Sequence, residues 1–240
     1  MPSMMHACAG SWLYQTISRA RGRGLMSNDW ERTIFTMIAP GMFLSALFST
    51  TEAYLTWFLE YKNFIGKYAG SMKEADFTVI PLIGPNKQRM AAFPSVVMEL
   101  GRYESSARLQ ADARLWQEGS AGAVRVVLQV KYYEVDRHNN LALDLFISRA
   151  APGGGPASQE HYASVFIYSM LSSSLLTSQL CVQHIVPAPP QPQYPSISLD
   201  EFYAGDCPPT MNPKAQITLD LDMLREVVAI YNGQRVAPPP

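Results

Sequence analysis

Pro94-Ser95-Val96-Val97-Met98-Glu99-Leu100-Gly101, then a segment at helical spacing over residues 104–118, then Val124-Arg125-Val126-Val127-Leu128-Gln129-Val130-Lys131-Tyr132 decide how this chain folds. The first run is short, apolar and of the kind buried on both faces of a sheet, with Glu99 its one charge. In the second segment Leu109, Ala113 and Trp116 share one helical face, Ser105 or Ser106 offers an N-cap, and Gly119 is the expected stop. The third alternates apolar Val124, Val126, Leu128 and Val130 with Arg125, Val127, Gln129 and Lys131, the period of a strand with one face more buried than the other. Upstream, Asp76 opens Phe77-Thr78-Val79-Ile80-Pro81-Leu82-Ile83, β-branched and aromatic, closed by Gly84-Pro85. The order strand, strand, helix, strand predicts an α/β domain.

Outward from that core the signals weaken. Residues 42–61 place Leu44, Leu47, Phe48, Tyr54, Leu55 and Phe58 at helical spacing and predict a long first helix. A short strand is expected within residues 63–70. Further strands are expected at 141–148, 160–170 and 180–186, the first two separated by a Gly-Pro-rich turn. Residues 187–195 hold five prolines in nine positions, which favours an extended linker. Beyond it, Ile217-Thr218-Leu219 and the periodic Leu221, Leu224, Val227, Val228 and Tyr231 predict a strand and an amphipathic helix. The expected division is a flexible segment 1–29, a main domain 30–186, a linker 187–196 and an extension 197–240 that is less firmly packed.

Composition excludes several classes. With 48% apolar and 16% charged residues in 240, the chain has the makings of a globular core. The formal net charge of −1 supplies no global basic field for a phosphate backbone, so nucleic-acid binding requires a local patch. Cys8, Cys181 and Cys207 form no CxxC pair and suggest neither a disulfide framework nor a zinc site, in keeping with a reducing, intracellular compartment, cytoplasmic or nuclear. Arg19, Arg21 and Arg23 without any acid in residues 1–28 resemble a transit peptide in composition, which makes mitochondrial targeting the minor alternative. Residues 33–51 carry no charge, yet Pro40-Gly41 and six hydroxyl side chains make a buried helix the better reading than a membrane span.

No phosphate-binding loop, dinucleotide fingerprint, HExxH or GxSxG elbow is present, and His6, His138, His161 and His184 lack a ligand spacing. What remains is a pair of carboxylates on neighbouring strands. A charge inside an apolar strand is costly unless it is paired or binds a cation. Asp76 and Glu99 converging on one ion would suit Mg²⁺ or Mn²⁺, which prefer hard oxygen ligands. The alternative is structural: Asp76 a turn residue, Glu99 paired with Arg102 or Arg125. On the helix, Arg108 with Asp112 and Arg114 with Glu118 have the i,i+4 spacing of surface ion pairs, and Trp116 reads as core.

Ala75-Asp76, the run from Pro94 to Gly101, Glu104-Ser105, Asp112-Ala113-Arg114-Leu115-Trp116 and Val124-Arg125-Val126-Val127-Leu128 together resemble fungal and bacterial stand-alone proteins of the PD-(D/E)XK nuclease group over about 60 residues. The closing Ile197-Ser198-Leu199-Asp200-Glu201-Phe202 and Ile217-Thr218-Leu219 resemble the fungal relatives more loosely. The resemblance implies a restriction-endonuclease-like mixed sheet flanked by helices with extra C-terminal strands. It also implies Asp76 and Glu99 as metal ligands and catalytic residues, Mg²⁺ or Mn²⁺ as cofactor, and DNA or RNA as partner. A first helix would supply a further acid, Glu52 or Glu60. The pattern departs at two places: Ala75 stands where a proline is expected, and Gly101 where a lysine is. That lysine balances charge in the transition state, so a replacement is needed from Arg108, Arg114 or, preferred here, Lys131. Three functions follow from this reading: a metal-dependent nuclease, a catalytically inactive binding module on the same fold, and, third, a membrane-associated protein using residues 33–51.

Overall fold

The computed structural model describes residues 4–26, 33–37, 60–83, 89–101, 105–134, 141–150, 158–167 and 194–234. The chain is mixed α/β. In order it forms helix α1 (Met4–Gly22), strands β1 (Thr33–Met37), β2 (Glu60–Tyr61), β3 (Lys73–Glu74), β4 (Phe77–Ile83), β5 (Arg89–Met90) and β6 (Val96–Gly101), and helix α2 (Ser106–Gly119). Strands β7 (Val126–Tyr132), β8 (Leu141–Arg149), β9 (Ser158–Ile167) and β10 (Ser196–Ser198), the short helix α3 (Leu199–Phe202), β11 (Gln216–Thr218) and helix α4 (Leu221–Gln234) follow. The main sheet runs β1-β4-β6-β7-β8-β9, with β5 added on β4. Neighbours are antiparallel except β6 and β7, which are parallel and joined through α2.

Strand alternation gives the sheet two covered faces. Phe77, Val79, Val96, Met98, Leu100, Val126, Leu128, Val130 and Tyr132 point to one side and pack with α1, α4 and the β10–β11 pair. Val97 and Val127 point to the other, beneath Ala113 and Trp116 of α2 and the aromatic side chains of Tyr61, Phe64 and Phe93. This explains why the β7 residues predicted on a wetter face are also buried: both faces carry a layer, as parallel strands usually require. Helix α2 begins as its sequence predicts, with Ser105 Oγ accepting from the backbone N–H of Arg108. It ends where Gly119 lets the chain approach Phe64, whose ring carbon lies 2.9 Å from where a Cβ would sit.

The largest differences from the sequence reading are at the chain ends. Residues 4–22, expected as flexible, form α1, with Cys8, Ala9, Trp12, Leu13, Thr16, Ile17 and Ala20 buried along one face. The extension beyond the prolines packs on the same core through Ile197, Leu199, Phe202, Ile217, Leu219 and Leu224. It is pinned by Trp12 Nε1 donating to Asp220 O at 2.6 Å, Ser95 Oγ to Phe202 O at 2.5 Å, and Arg149 Nε to Glu201 at 2.9 Å. Burial of those side chains outweighs the linker's poverty in backbone donors. Thr33–Met37, placed in the uncharged stretch read as a helix, is instead an edge strand on β4. Residues 63–70 hold a single turn of 3-10 helix, Gly66–Tyr68, in place of a strand. Of the helix predicted at 42–61, Glu60–Tyr61 form strand β2 instead, and the rest, like the strand predicted at 180–186 and Cys181, lies outside the described residues. No helix among the described residues is long and apolar enough to cross a membrane.

Candidate functional site

Asp76 and Glu99 sit on neighbouring stretches of the sheet, near enough for the charge of Asp76 to act on the Glu99 carboxyl. The β4–β6 ladder pairs Phe77 with Met98, and one residue further along that register Asp76 stands opposite Glu99. The backbone N–H of Leu100 donates to Asp76 Oδ2 at 2.7 Å, tying the acid to the strand that carries Glu99. Glu99 lies on the α2 face of the sheet, 6% exposed, with Gln129 beside it on β7. Its Oε1 accepts from Trp116 Nε1 of α2 at 2.5 Å. Gln129 is occupied in turn by donating to the carbonyl of Leu109 on α2.

The cation that answers Glu99 comes from a place the sequence did not suggest. Lys73, in the two-residue strand β3, puts its Nζ 3.6 Å from Glu99 Oε1 and 2.7 Å from Asp112 Oδ2 of α2. Arg125, one of the structural partners considered for Glu99, donates to the carbonyl of Ala204. The helix acids take lysines from elsewhere: Asp112 takes Lys73, and Glu118 takes Lys67 at 2.8 Å, with the expected i,i+4 neighbour Arg114 acting on Glu118 only through its charge. Burial pushes the Glu99 carboxyl up to about 8; the Lys73 charge and the Trp116 hydrogen bond oppose this, while the charges of Asp76 and Asp112 add to it.

At Gly101, where the resemblance expected a lysine, there is no room for a long side chain. A Cβ there would sit 3.0 Å from Leu109 Cδ2, so α2 closes down on the strand at the position where the family pattern has a long side chain. Lys131, the replacement preferred from sequence, pairs in register with Gly101 and shares the sheet face of Glu99, but its ammonium sits over the Tyr133 ring at 4.9 Å. Of the first-helix acids, Glu60 lies in β2 and pairs with Lys62 at 2.6 Å, and Glu52 lies outside the described residues.

Glu99 and Asp112 share Lys73 at the edge of an apolar layer, with Tyr61 and Phe64 set edge-on against Trp116. Among the described residues no three of His, Cys, Asp and Glu are grouped to hold a metal ion. A pair of carboxylates still fits Mg²⁺, which keeps several waters and commonly takes only one or two protein oxygens. Lys73 was missed because a two-residue strand has no periodicity to read, and Asp112 was read only as a surface partner of Arg108; the available signal was Lys73 three residues before Asp76. No protein family, curated protein or solved structure matched the chain.

Proposed function

We propose that this chain is a restriction-endonuclease-like protein that hydrolyses nucleic-acid phosphodiesters with a divalent ion held by Asp76 and Glu99. The observation that carries the reading is that Asp76, tied to the Leu100 N–H just before β4, acts by its charge on Glu99 of β6, with the Lys73 ammonium 3.6 Å from Glu99. The antiparallel β4–β6 pair followed by α2 and the parallel strand β7 supports the fold assignment. When bound, Mg²⁺ or Mn²⁺ supplies Lewis acidity toward a phosphoryl oxygen and charge for the transition state.

The chain's own groups do the positioning. The Leu100 N–H fixes Asp76 Oδ2 and the Trp116 indole fixes Glu99 Oε1, so each acid is held to a defined orientation. Lys73 holds a positive charge at the buried acid and is the group we assign to the work of the lysine that Gly101 lacks. Its bond to Asp112 keeps it oriented. Incubation of the full chain with labelled single-stranded and duplex DNA and RNA in Mn²⁺ tests this. Cleavage lost in Asp76→Asn and Glu99→Gln supports hydrolysis; cleavage that survives both substitutions contradicts it.

A second reading, a non-catalytic binding module on the same fold, is favoured by the engagement of Glu99 Oε1 with both Trp116 and Lys73 and by the packing of Gly101 under Leu109. Absence of cleavage with any of these substrates, in a chain that binds them, selects it.

A further inference from the structure

Past Gly101 the sheet face that holds Glu99 continues into a second group of side chains. Lys131 follows Gln129 on that face of β7, Tyr133 comes directly after the strand with its N–H donating to the carbonyl of Ala142, and Asp144 on β8 is paired in register with Lys131. The Tyr133 hydroxyl donates to Asp144 Oδ2, so the ring is folded back across the pair. The Lys131 ammonium lies 4.9 Å from the ring centroid. Asp144 is buried, while Tyr133 remains 38% exposed. The hydrogen bond to Asp144 is the main reason the phenol is pushed up to about 12, so it stays a donor at any ordinary pH.

A strand spacing of about 4.8 Å and a rise of about 3.3 Å per residue put the Cα of Lys131 roughly 8 Å from that of Glu99. That is of the order of one nucleotide step along an extended strand. An exposed aromatic ring fixed at its hydroxyl, with a lysine against it, presents the two contacts that an unpaired nucleotide needs: a π-face for the base and a cation for its phosphate. A base inside a duplex is already stacked and paired and offers no free face.

We infer that Tyr133 and Lys131 form a nucleotide-binding subsite for single-stranded nucleic acid next to the Asp76–Glu99 pair, with the base stacking on Tyr133 and the adjoining phosphate on Lys131. The inference rests on the proposed phosphodiesterase reading for its substrate class, and it locates binding in a patch, as a chain of net charge −1 requires. Asp144 is a positioning residue here: it aims the ring and does not touch the nucleotide.

The test uses the full chain in EDTA, where ion-dependent cleavage is silent, with a fluorescein-labelled twelve-nucleotide strand followed by anisotropy. Single strands are expected to bind more tightly than the duplex of the same sequence. Tyr133→Ala is expected to weaken binding roughly tenfold, the scale of one lost base–aromatic stack, and Lys131→Gln to weaken it with a shallower salt dependence. Should Tyr133→Ala fail to fold, photo-crosslinking of a 5-iodouridine strand to the unaltered chain replaces it, with Tyr133 the expected adduct. Equal affinity of Tyr133→Ala and the unaltered chain, tighter binding of duplex, or crosslinks confined to other residues would overturn the subsite. Binding with this residue dependence but no cleavage in Mn²⁺ refutes hydrolysis and leaves the subsite standing, so the two failures are distinguishable.

Discussion

Replacing Glu99 by glutamine isolates the energetic consequence of putting a carboxyl between α2 and the sheet. Burial raises this group from an ordinary 4.5 to about 8, against the pull of Lys73. Between those values the folded chain keeps a proton that the unfolded chain releases, so stability from this group is full below about pH 4.5 and is lost progressively as the pH rises to about 8. At about 1.4 kcal/mol per pH unit, the loss is on the order of 5 kcal/mol. Glutamine has the size of the protonated acid, its carbonyl still accepts from Trp116, and it has no proton to lose. Urea unfolding in EDTA should therefore give nearly equal stabilities for the two proteins at pH 5 and a variant more stable by a few kcal/mol at pH 9. Titrations common to both proteins cancel in the difference. A stability difference that does not change between pH 5 and pH 9, or a variant less stable at both, would refute the assignment of Glu99 as a desolvated acid and make it a net stabilising ion-pair partner of Lys73.

Three other substitutions probe the surrounding structure. Trp116→Ala removes a fully buried aromatic that packs against Tyr61 and Phe64 and donates to Glu99, and chemical denaturation should show a loss of about 3–5 kcal/mol. Gly101→Ala pushes a methyl group against Leu109 and should cost about 1–3 kcal/mol by the same method, with much of the loss recovered in the Gly101→Ala, Leu109→Ala double variant relative to Leu109→Ala alone. Trp12→Ala empties the α1 position that bonds to Asp220 and should destabilise the whole chain by about 3–5 kcal/mol, with the C-terminal segment released first in limited proteolysis.

The parts legible in the sequence are those whose periodicity is long enough to read. Strand β6 and helix α2 follow from the run Val96–Gly101 and from Leu109, Ala113 and Trp116, and both lie where that pattern places them. Helix α1 carries a comparable stripe, Cys8, Ala9, Trp12, Leu13, Thr16, Ile17 and Ala20, but small and hydroxyl residues dilute it, and the arginines that follow draw attention to charge instead. In the C-terminal segment the strand and the helix were legible from Ile217–Leu219 and from Leu221, Leu224, Val227 and Val228, but not their packing on the core, because proline content reports on backbone donors and says nothing about how much apolar surface the next residues bury. At the site, Asp76 and Glu99 were legible as acids at strand positions in an apolar context. Lys73 was not, because its approach to Glu99 depends on the short β2–β3 hairpin folding under α2, a tertiary event without a local signature.

The central claim, that Asp76 and Glu99 jointly offer a site to a divalent ion, is tested most directly by titrating Mn²⁺ into the full chain at pH 8.5, where Glu99 is largely ionised, by calorimetry and by the Mn²⁺ paramagnetic resonance signal. The account predicts one ion per chain, a melting temperature that rises with Mn²⁺ by mass action, and loss of both effects in Asp76→Asn and in Glu99→Gln. A chain that binds no Mn²⁺ under these conditions, or binds it equally well in both variants, would contradict it.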